Sequence, residues 1–561
     1  MKQISCLDCF KVSFDPEQYM ISEKCHSPGY HTRMPDGATV HPTRESLQYA
    51  LCLLDVGGKK EILLAEKVLR KILSLQDTDQ FSRTYGIWSW FLEEPLDKMD
   101  PPDWNWADFL GSRMAQILKN HSKKLSAGLV CEIRSSLGHA GWSIFRRNVT
   151  LGYTNIAIMG GGVTAAAGEI LNEPRLLDFG RERLRRVVEL TRYNGTFSEY
   201  NSPTYTFVAL EEAERILDLV KDKLTRKHAE GIRRFAWNVI AAHFHPATQQ
   251  WTGAQSRAYS DYMYPQLVKY LSEQTGVEIK THPSLSKSKS GMPSLVPELP
   301  CPKELRKRFK QLPSNPLEFK TRFIRRDEKN TRNSYGDRSG TTWMDDLASL
   351  SSVNHEDTWT QRRTVFGHWK TESDPAVCLR MRFLHDGKDF ASALVRNSQK
   401  GPRVLSAITM VLNRGDFHPH FDHPKDDVFQ AEDFRLRYEL KGEGVKVGQI
   451  AKDKFALSAG KYRAVIHTAP GKFGTNRIRW EIGMDKGRAF VDAVCHHGSK
   501  KVFNMGTMGA VELVAGLELV KENQEPLTGN IKIKMNKKDI YTAEWAGLKL
   551  VVPATADNYP E

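Results

Sequence analysis

At 561 residues the chain is too long for one ordinary core. Single cores stop growing beyond roughly 250–300 residues, so two large domains are expected. With 26% charged and 40% hydrophobic residues it has a globular composition, and no run of about 18 apolar residues is present to cross a membrane. Its 81 Lys and Arg exceed its 67 Asp and Glu by a net charge of +14. That surplus favours a polyanionic partner, nucleic acid or acidic polysaccharide, and nothing in the sequence matches an RNA- or DNA-binding module.

The opening "MKQISCLDCFKVSFDPEQYM" has neither an apolar h-region nor a small-residue cleavage site, so a cytoplasmic location is expected. Eight cysteines are too sparse for a disulfide scaffold, which predicts reduced thiols. The spacing of Cys6, Cys9, Cys25 and His26 matches no common zinc framework.

Residues 1–45 carry scattered Pro, Gly and His and read as irregular. From Ser46 the period becomes helical. "ESLQYALCLLDV", "KKEILLAEKVLRKILSLQ", "NWADFLGSRMAQILKNHS", "LSAGLVCEIRSSLGHAGWSIFRR" and the small-residue-rich "NIAIMGGGVTAAAGEIL" each place apolar residues at helical intervals. "EPRLLDFGRERLRRVVELTRYNG" ends in Gly195, a candidate C-cap. Two further helices follow, in "TFVALEEAERILDLVKDKL" and "RKHAEGIRRFAWNVIAAHF". Without a repeat of fixed length, this predicts paired helices around a cleft rather than a straight solenoid.

The Ser-, Pro- and Lys-rich stretch that begins near residue 282 reads as a linker, over 282–314. Beyond it come short, often alternating apolar runs such as "AVCLRMRFLHD", "RVLSAITMVLNRG", "DFRLRYELKG", "KYRAVIHTAP" and "AVELVAGLELVK", a strand pattern. The expected fold is therefore multidomain α+β: an N-terminal (α/α) toroid of helical hairpins over 1–281, the linker, and a C-terminal antiparallel β-sandwich over 315–561. Period-two spacing puts Arg380 with Arg382, and Arg477 with Arg479, on one strand face each. Such a pair is either the polar face of a sheet or part of a groove for an anion.

"GTFSEYNSPTY" crowds Glu199, Tyr200, Asn201, Ser202 and Tyr205 around Pro203 at the mouth of a helix. Pro203 suits the first helical position and Ser202 the cap. Here the chain resembles the toroid-plus-sheet polysaccharide lyases, the heparinase II/III-like and alginate-lyase-like groups. "SEYNSPTY" is similar to their Ser-x-x-Tyr segment, which implies Tyr205 as the catalytic tyrosine. "GYTNIAIMG" is similar to the helix start that carries their carboxylate-binding asparagine, which implies Asn155. Those families often place histidine next, and Ile156 stands there. "RGDFHPHFDHP" resembles a His-x-His-x-Asp stretch of their β domains, in which one histidine faces the cleft and another helps hold a metal. His418 or, from "SSVNHEDTWTQRR", His355 is the candidate for the cleft; His420 and Asp422 are candidates for a structural divalent metal.

The chemistry so implied is β-elimination on a uronic-acid-containing glycan in a cleft between the two domains. A base removes the weakly acidic proton at C5, hydrogen-bond donors neutralise the adjacent carboxylate, and the C4 oxygen departs. No cofactor is required. A free tyrosine has a pKa near ~10, so a base tyrosine needs a cation beside it; Arg257, in "GAQSRAYSDYMY", is the candidate, with i,i+4 pairing to Asp261 as its structural alternative. Tyr200 and Glu199, and Trp104 and Trp106 in the aromatic loop that also holds Trp88 and Trp90, are candidates for sugar binding. The tryptophans equally suit a packed plug. Two other functions remain open: a glycoside hydrolase with Asp103 or Asp108 paired to Glu199, and a non-catalytic protein that binds acidic glycans.

Overall fold

The computed structural model describes residues 7, 10, 13–26, 29–286, 296–325, 336–419, 421–537 and 539–558. Residues group into two compact units. One holds Met1–Tyr193, Phe207–Ala236 and Lys289–Leu299; the other holds Asn194–Thr206, Trp237–Ser288 and Pro300–Glu561. The N-terminal part is rich in helix and the C-terminal part in strand, the arrangement expected of an (α/α) toroid followed by a β-sandwich.

The principal helices among the described residues are α1 (Thr43–Val56), α2 (Lys59–Leu73), α3 (Trp106–His121), α4 (Ala127–Arg147), α5 (Thr154–Leu171), α6 (Pro174–Asn194), α7 (Pro203–Leu219), α8 (Lys223–His243) and α9 (Pro265–Thr275). Their ends follow from local chemistry. α4 and α5 stop at Asn148 and Asn172, both left-handed, with each cap N–H bonded to the carbonyl four residues back. Gly195 takes φ 78° directly after α6, as its position in the sequence predicts. α5 is buried from Thr154 to Gly168. Its glycines are contact points: a Cβ at Gly168 would overlap the backbone nitrogen of Leu177 on α6 and come 2.7 Å from its Cβ.

Two large antiparallel sheets face each other in the second unit. The first runs through Arg479–Asp485, Arg488–Asn504, Val428–Lys441, Val377–His385, Val365–Trp369, Ala348–Val353, Gly336–Met344 and Leu317–Arg325. The second runs through His355–Asp357, Ala393–Lys400, Arg403–Leu412, Val511–Lys521, Tyr462–Thr468, Lys454–Ala459 and Lys446–Ala451. One apolar core lies between them, with Leu350, Trp369 and Phe434 from the first sheet and Val395, Ile408 and Leu517 from the second. A third layer, unforeseen in the sequence, is the sheet Lys532–Lys537, Ile540–Trp545, Leu548–Pro553. It buries Tyr541, Trp545 and Val552 against Leu405, Ala407 and Val514.

Cys52 is disulfide-bonded, which corrects the expectation of uniformly reduced thiols. Cys6 and Cys9 lie outside the described residues. No helix among the described residues is long and apolar enough to cross a membrane.

The contact between α5 and α6 gives a stability prediction. Gly168→Ala must push Leu177 away and lowers unfolding free energy by about 1–3 kcal/mol. Gly128→Ala, where a Cβ meets nothing within 4 Å, leaves stability unchanged or raises it by up to ~1 kcal/mol. Urea unfolding of the two variants beside wild type measures the contrast.

Candidate functional site

The polar crowd before α7 is a set of fasteners. Asn201, at φ 45°, donates its side-chain amide to the carbonyls of Thr252 (2.9 Å) and Ala254 (3.0 Å), and its Oδ1 accepts from Trp251 Nε1 at 2.6 Å. The carbonyl of Tyr200 accepts from both the backbone N–H and the hydroxyl of Ser256, at 3.0 and 2.9 Å. Ser202 Oγ donates to the Arg257 carbonyl at 2.6 Å and accepts from Tyr205 N at 3.1 Å, so it caps α7 and ties down the second loop together. Gly253, at φ 96°, leaves the room that the Asn201 amide occupies, and a Cβ there would also come 2.6 Å from His243 Cδ2.

A third loop completes the stack. Gln255 and Arg363 exchange two backbone hydrogen bonds (3.0 and 2.9 Å), and Ala258 N donates to the Gln361 carbonyl at 2.8 Å. Beneath it lies a buried ionic network. Glu356 sits 3.5 Å from Arg338 Nε and 3.7 Å from Arg362 Nε; Asp357 pairs with Arg362 at 3.1 Å and Arg414 at 2.6 Å.

On this platform the Tyr205 hydroxyl lies 2.7 Å from the Tyr259 hydroxyl. The Arg257 guanidinium stacks 4.5 Å from the Tyr205 ring centroid, with its NH2 3.5 Å from Tyr259 Oη. Gln361 Oε1 accepts from Arg257 Nε at 3.1 Å, and Glu199 lies 3.5 Å from Arg257 NH1. Burial pushes the Tyr205 phenol well above its ordinary pKa, while Arg257 pulls it down. Asp261 pairs with Arg363 at 2.7 Å rather than with Arg257.

Tyr259 also lines a cavity of about 460 Å³ in which Arg363, Arg380, Arg382, Lys441 and Arg488 face Asp261, Asp389 and Glu439. The five cations outnumber the three carboxylates. Burial would raise the Asp261 pKa, but Arg363, Arg380 and Lys441 hold it well below the usual carboxylate range. Arg382 pairs with Asp389 at 2.7 Å and Glu439 at 3.6 Å. Arg380 is 8% exposed; its NH1 lies 3.7 Å from Asp261, its NH2 lies 3.5 Å from Asp389 and donates to the Thr360 carbonyl at 3.2 Å, and its Nε has no hydrogen-bond partner among the described residues. A cavity of this size, within the range of about 300–1,000 Å³ common for small-ligand sites, with surplus positive charge, is suited to an anionic group.

The structure brings Tyr205, Arg257 and Glu199 together. Tyr200 is buried to 1%, with its ring stacked 4.3 Å from that of Phe323, so it packs in the core. His418 sits edge-on to Trp359 at 6.3 Å, stacks on Phe421 at 4.0 Å, and donates its backbone N–H to Asp422 Oδ2. His355 opens the strand His355–Asp357, opposite Arg396. His420 lies outside the described residues, among which no group of three or more His, Cys, Asp or Glu is placed to hold a metal.

The remaining candidates belong to the helical unit. Asn155 is 2% exposed, the second residue of α5 and not its cap, which is Tyr153. Trp106 is buried, stacks on Trp90 at 5.0 Å, and donates to Thr43 Oγ1, the geometry of a packed plug. Trp104 is partly exposed and donates to the Arg83 carbonyl at 3.1 Å. Asp103 accepts from Trp90 Nε1 and Asn105 N. Asp108 is raised to about 7 by burial, against the pull of Arg147 and Arg183.

Residues 19–281 match the family model described as a domain of unknown function, DUF8769. No curated protein matches the sequence. Among solved structures the chain is similar to a heparinase III, at 10% identity and TM-score 0.46, over 99% of this chain and 91% of that one. It is similar to a second heparinase III, with methylated lysines, at 10% identity and TM-score 0.34, over 91% and 83% of the two chains. It is also similar to the heparan sulfate lyase HepC of Pedobacter heparinus, at 9% identity and TM-score 0.33, over 91% and 82%.

The double use of Ser202 Oγ yields a test. Ser202→Ala removes the cap of α7 and the tie to Arg257 and costs about 0.5–2 kcal/mol in urea unfolding. Ser202→Thr, which keeps a hydroxyl, recovers most of it.

Proposed function

We propose that the protein is a lyase that cleaves a uronic-acid-containing glycan by β-elimination, with Tyr205 as the base. The observation that carries this reading is the Tyr205 hydroxyl held beside a second phenol and under the Arg257 guanidinium, with the second phenol on the wall of a cavity rich in cations. Proton abstraction beside a carboxylate needs a strong base and a positive field. A tyrosinate next to arginine supplies the first, and the surplus cations of the cavity supply the second. Lys441, which lines the cavity and lies over the Tyr262 ring at 5.6 Å, is the side chain assigned to the substrate anion.

Of the carboxylates named for a hydrolase, Asp108 is raised to about 7, whereas the carboxylates of the second unit are engaged by cations. Glu356 and Asp357 are held by buried arginines, and Glu199 faces Arg257.

Incubation with a panel of acidic glycans tests the proposal. An eliminase creates a C4–C5 double bond conjugated to the carboxylate and a new ultraviolet band. Wild type produces the band, and Tyr205→Phe loses roughly 10²–10⁴-fold in rate, the range for removal of a general base. Cleavage without the band overturns the elimination reading.

The pH profile follows from the charge around Tyr205. The phenolate is the active form, and burial holds its pKa above 10. kcat/KM therefore climbs with pH through neutrality into the alkaline range, with a limiting slope of about one log unit per pH unit. Arg257 lowers that pKa, so Arg257→Gln moves the rising limb to higher pH and lowers the rate at any fixed pH below it. A profile that falls on the way from neutral to alkaline pH contradicts the tyrosinate base.

A further inference from the structure

The site holds two hydroxyls in direct contact, and they differ in exposure. Tyr205 projects from the first turn of α7 and is partly buried; Tyr259 is 61% exposed. Their oxygens are 2.7 Å apart. Tyr259 lies on the wall of the cation-rich cavity, and the Arg257 NH2 is 3.5 Å from its oxygen. The other tyrosines near this site do not share that setting: the rings of Tyr200 and Tyr262 are buried.

We propose that Tyr259 is the general acid of the reaction, delivering a proton to the departing C4 oxygen while Tyr205 takes the proton from C5. The proposal rests on the elimination reading above.

The proton count closes. The reactive form of the pair holds one proton, placed on Tyr259 at the cost of ionising the more buried Tyr205, and Tyr259 then donates its hydrogen bond to the Tyr205 phenolate; a hydrogen bond from a neutral to an ionised oxygen is short and strong. Tyr205 Oη takes the C5 proton. The C5–H electron pair becomes the second C4–C5 bond, and the C4–O bond breaks with its electrons on the leaving oxygen. The Tyr259 O–H bond then breaks as its proton passes to that oxygen. The pair is left with Tyr205 protonated and Tyr259 ionised beside Arg257. One proton shift across the 2.7 Å hydrogen bond restores the starting form. No metal, oxidant or further acid enters the balance.

This division of labour suits the exposures. The base must resist water and is partly buried. The acid must reach an oxygen whose sugar is leaving, and it faces the open cavity. Arg257 lies over the Tyr205 ring and 3.5 Å from the Tyr259 oxygen, so one guanidinium faces the negative charge on either phenol.

A leaving-group experiment decides the matter. The probes are a disaccharide with a sugar alkoxide at C4 of the uronate and the matching uronide with 4-nitrophenoxide there, whose anion departs without a proton. Tyr259→Phe keeps the ring and lies at an exposed position, so the variant folds. It is expected to lose about 10²-fold on the alkoxide probe and less than about 5-fold on the nitrophenoxide probe. Tyr205→Phe loses on both. An equal loss on both probes with Tyr259→Phe, or no loss on the alkoxide probe, overturns the acid role while leaving elimination intact. Cleavage by wild type without the enoate band overturns elimination, and the acid role with it.

Discussion

One hydroxyl fixes the relation between the two side chains on which the site depends. Ser202 Oγ accepts the backbone N–H of Tyr205 and donates to the carbonyl of Arg257, and it is itself fully buried. The first bond sets where α7 begins, and therefore where Tyr205 leaves the helix. The second sets where Arg257 leaves its loop. Both segments lack regular structure of their own, so their order must come from such bonds against the entropy of a free loop. Asn201 and Ser256 repeat the device on either side, with five more hydrogen bonds between the same two segments. A cation–π contact at 4.5 Å is worth little if either partner wanders. Here neither backbone is free to do so.

Charge is arranged in two tiers around that contact. The lower tier, Arg338, Glu356, Arg362, Asp357 and Arg414, is buried and self-compensating. Paired buried ions contribute little net stability, yet removal of one partner is costly, which makes such a network a rigid base for the loop that carries Gln361. The upper tier is the cavity, where cations outnumber carboxylates. Its carboxylates are engaged by Arg363 and Arg382 at 2.7 Å each, whereas Lys441 makes a contact at 5.6 Å with the Tyr262 ring. The chain's net charge of +14 thus has a local counterpart where an anionic ligand would be held.

The sequence made the helical and stranded halves legible because each carries a clean period: 3.6 up to α8 and 2.0 in the strands that follow. It also made the start of α7 legible, through a proline and a serine in positions that suit a helix start, while the role of Tyr205 came from the resemblance alone. The pair Arg380 and Arg382 was visible as one strand face, and that face lines the cavity. Tyr200 was misleading because a tyrosine beside a polar run looks the same whether it faces sugar or Phe323. The third β layer was missed because nothing in "KIKMNK" says against which sheet it packs. Tyr259 was missed for a different reason. Its partner is 54 residues away, and no local pattern encodes a contact made by two loops. The hint available was the cluster of aromatic and hydroxyl residues after Arg257, which resembles ordinary loop composition.

Ile156 stands where the resembled families often carry a histidine after the asparagine, and an isoleucine moves no protons. If elimination is the reaction, both proton transfers must be served by other groups. A single tyrosine can do both only if the oxygen that leaves comes back within reach of the base that has just been protonated, which ties the two transfers to one atom and to one face of the sugar ring. Two phenols in contact lift that restriction, since the proton is taken at one oxygen and given from another, and the hydrogen bond between them resets the pair. Tyr205 and Tyr259, 2.7 Å apart, are such a pair of phenols. Arg257, over the Tyr205 ring and 3.5 Å from the Tyr259 oxygen, is the cation that the two phenols share.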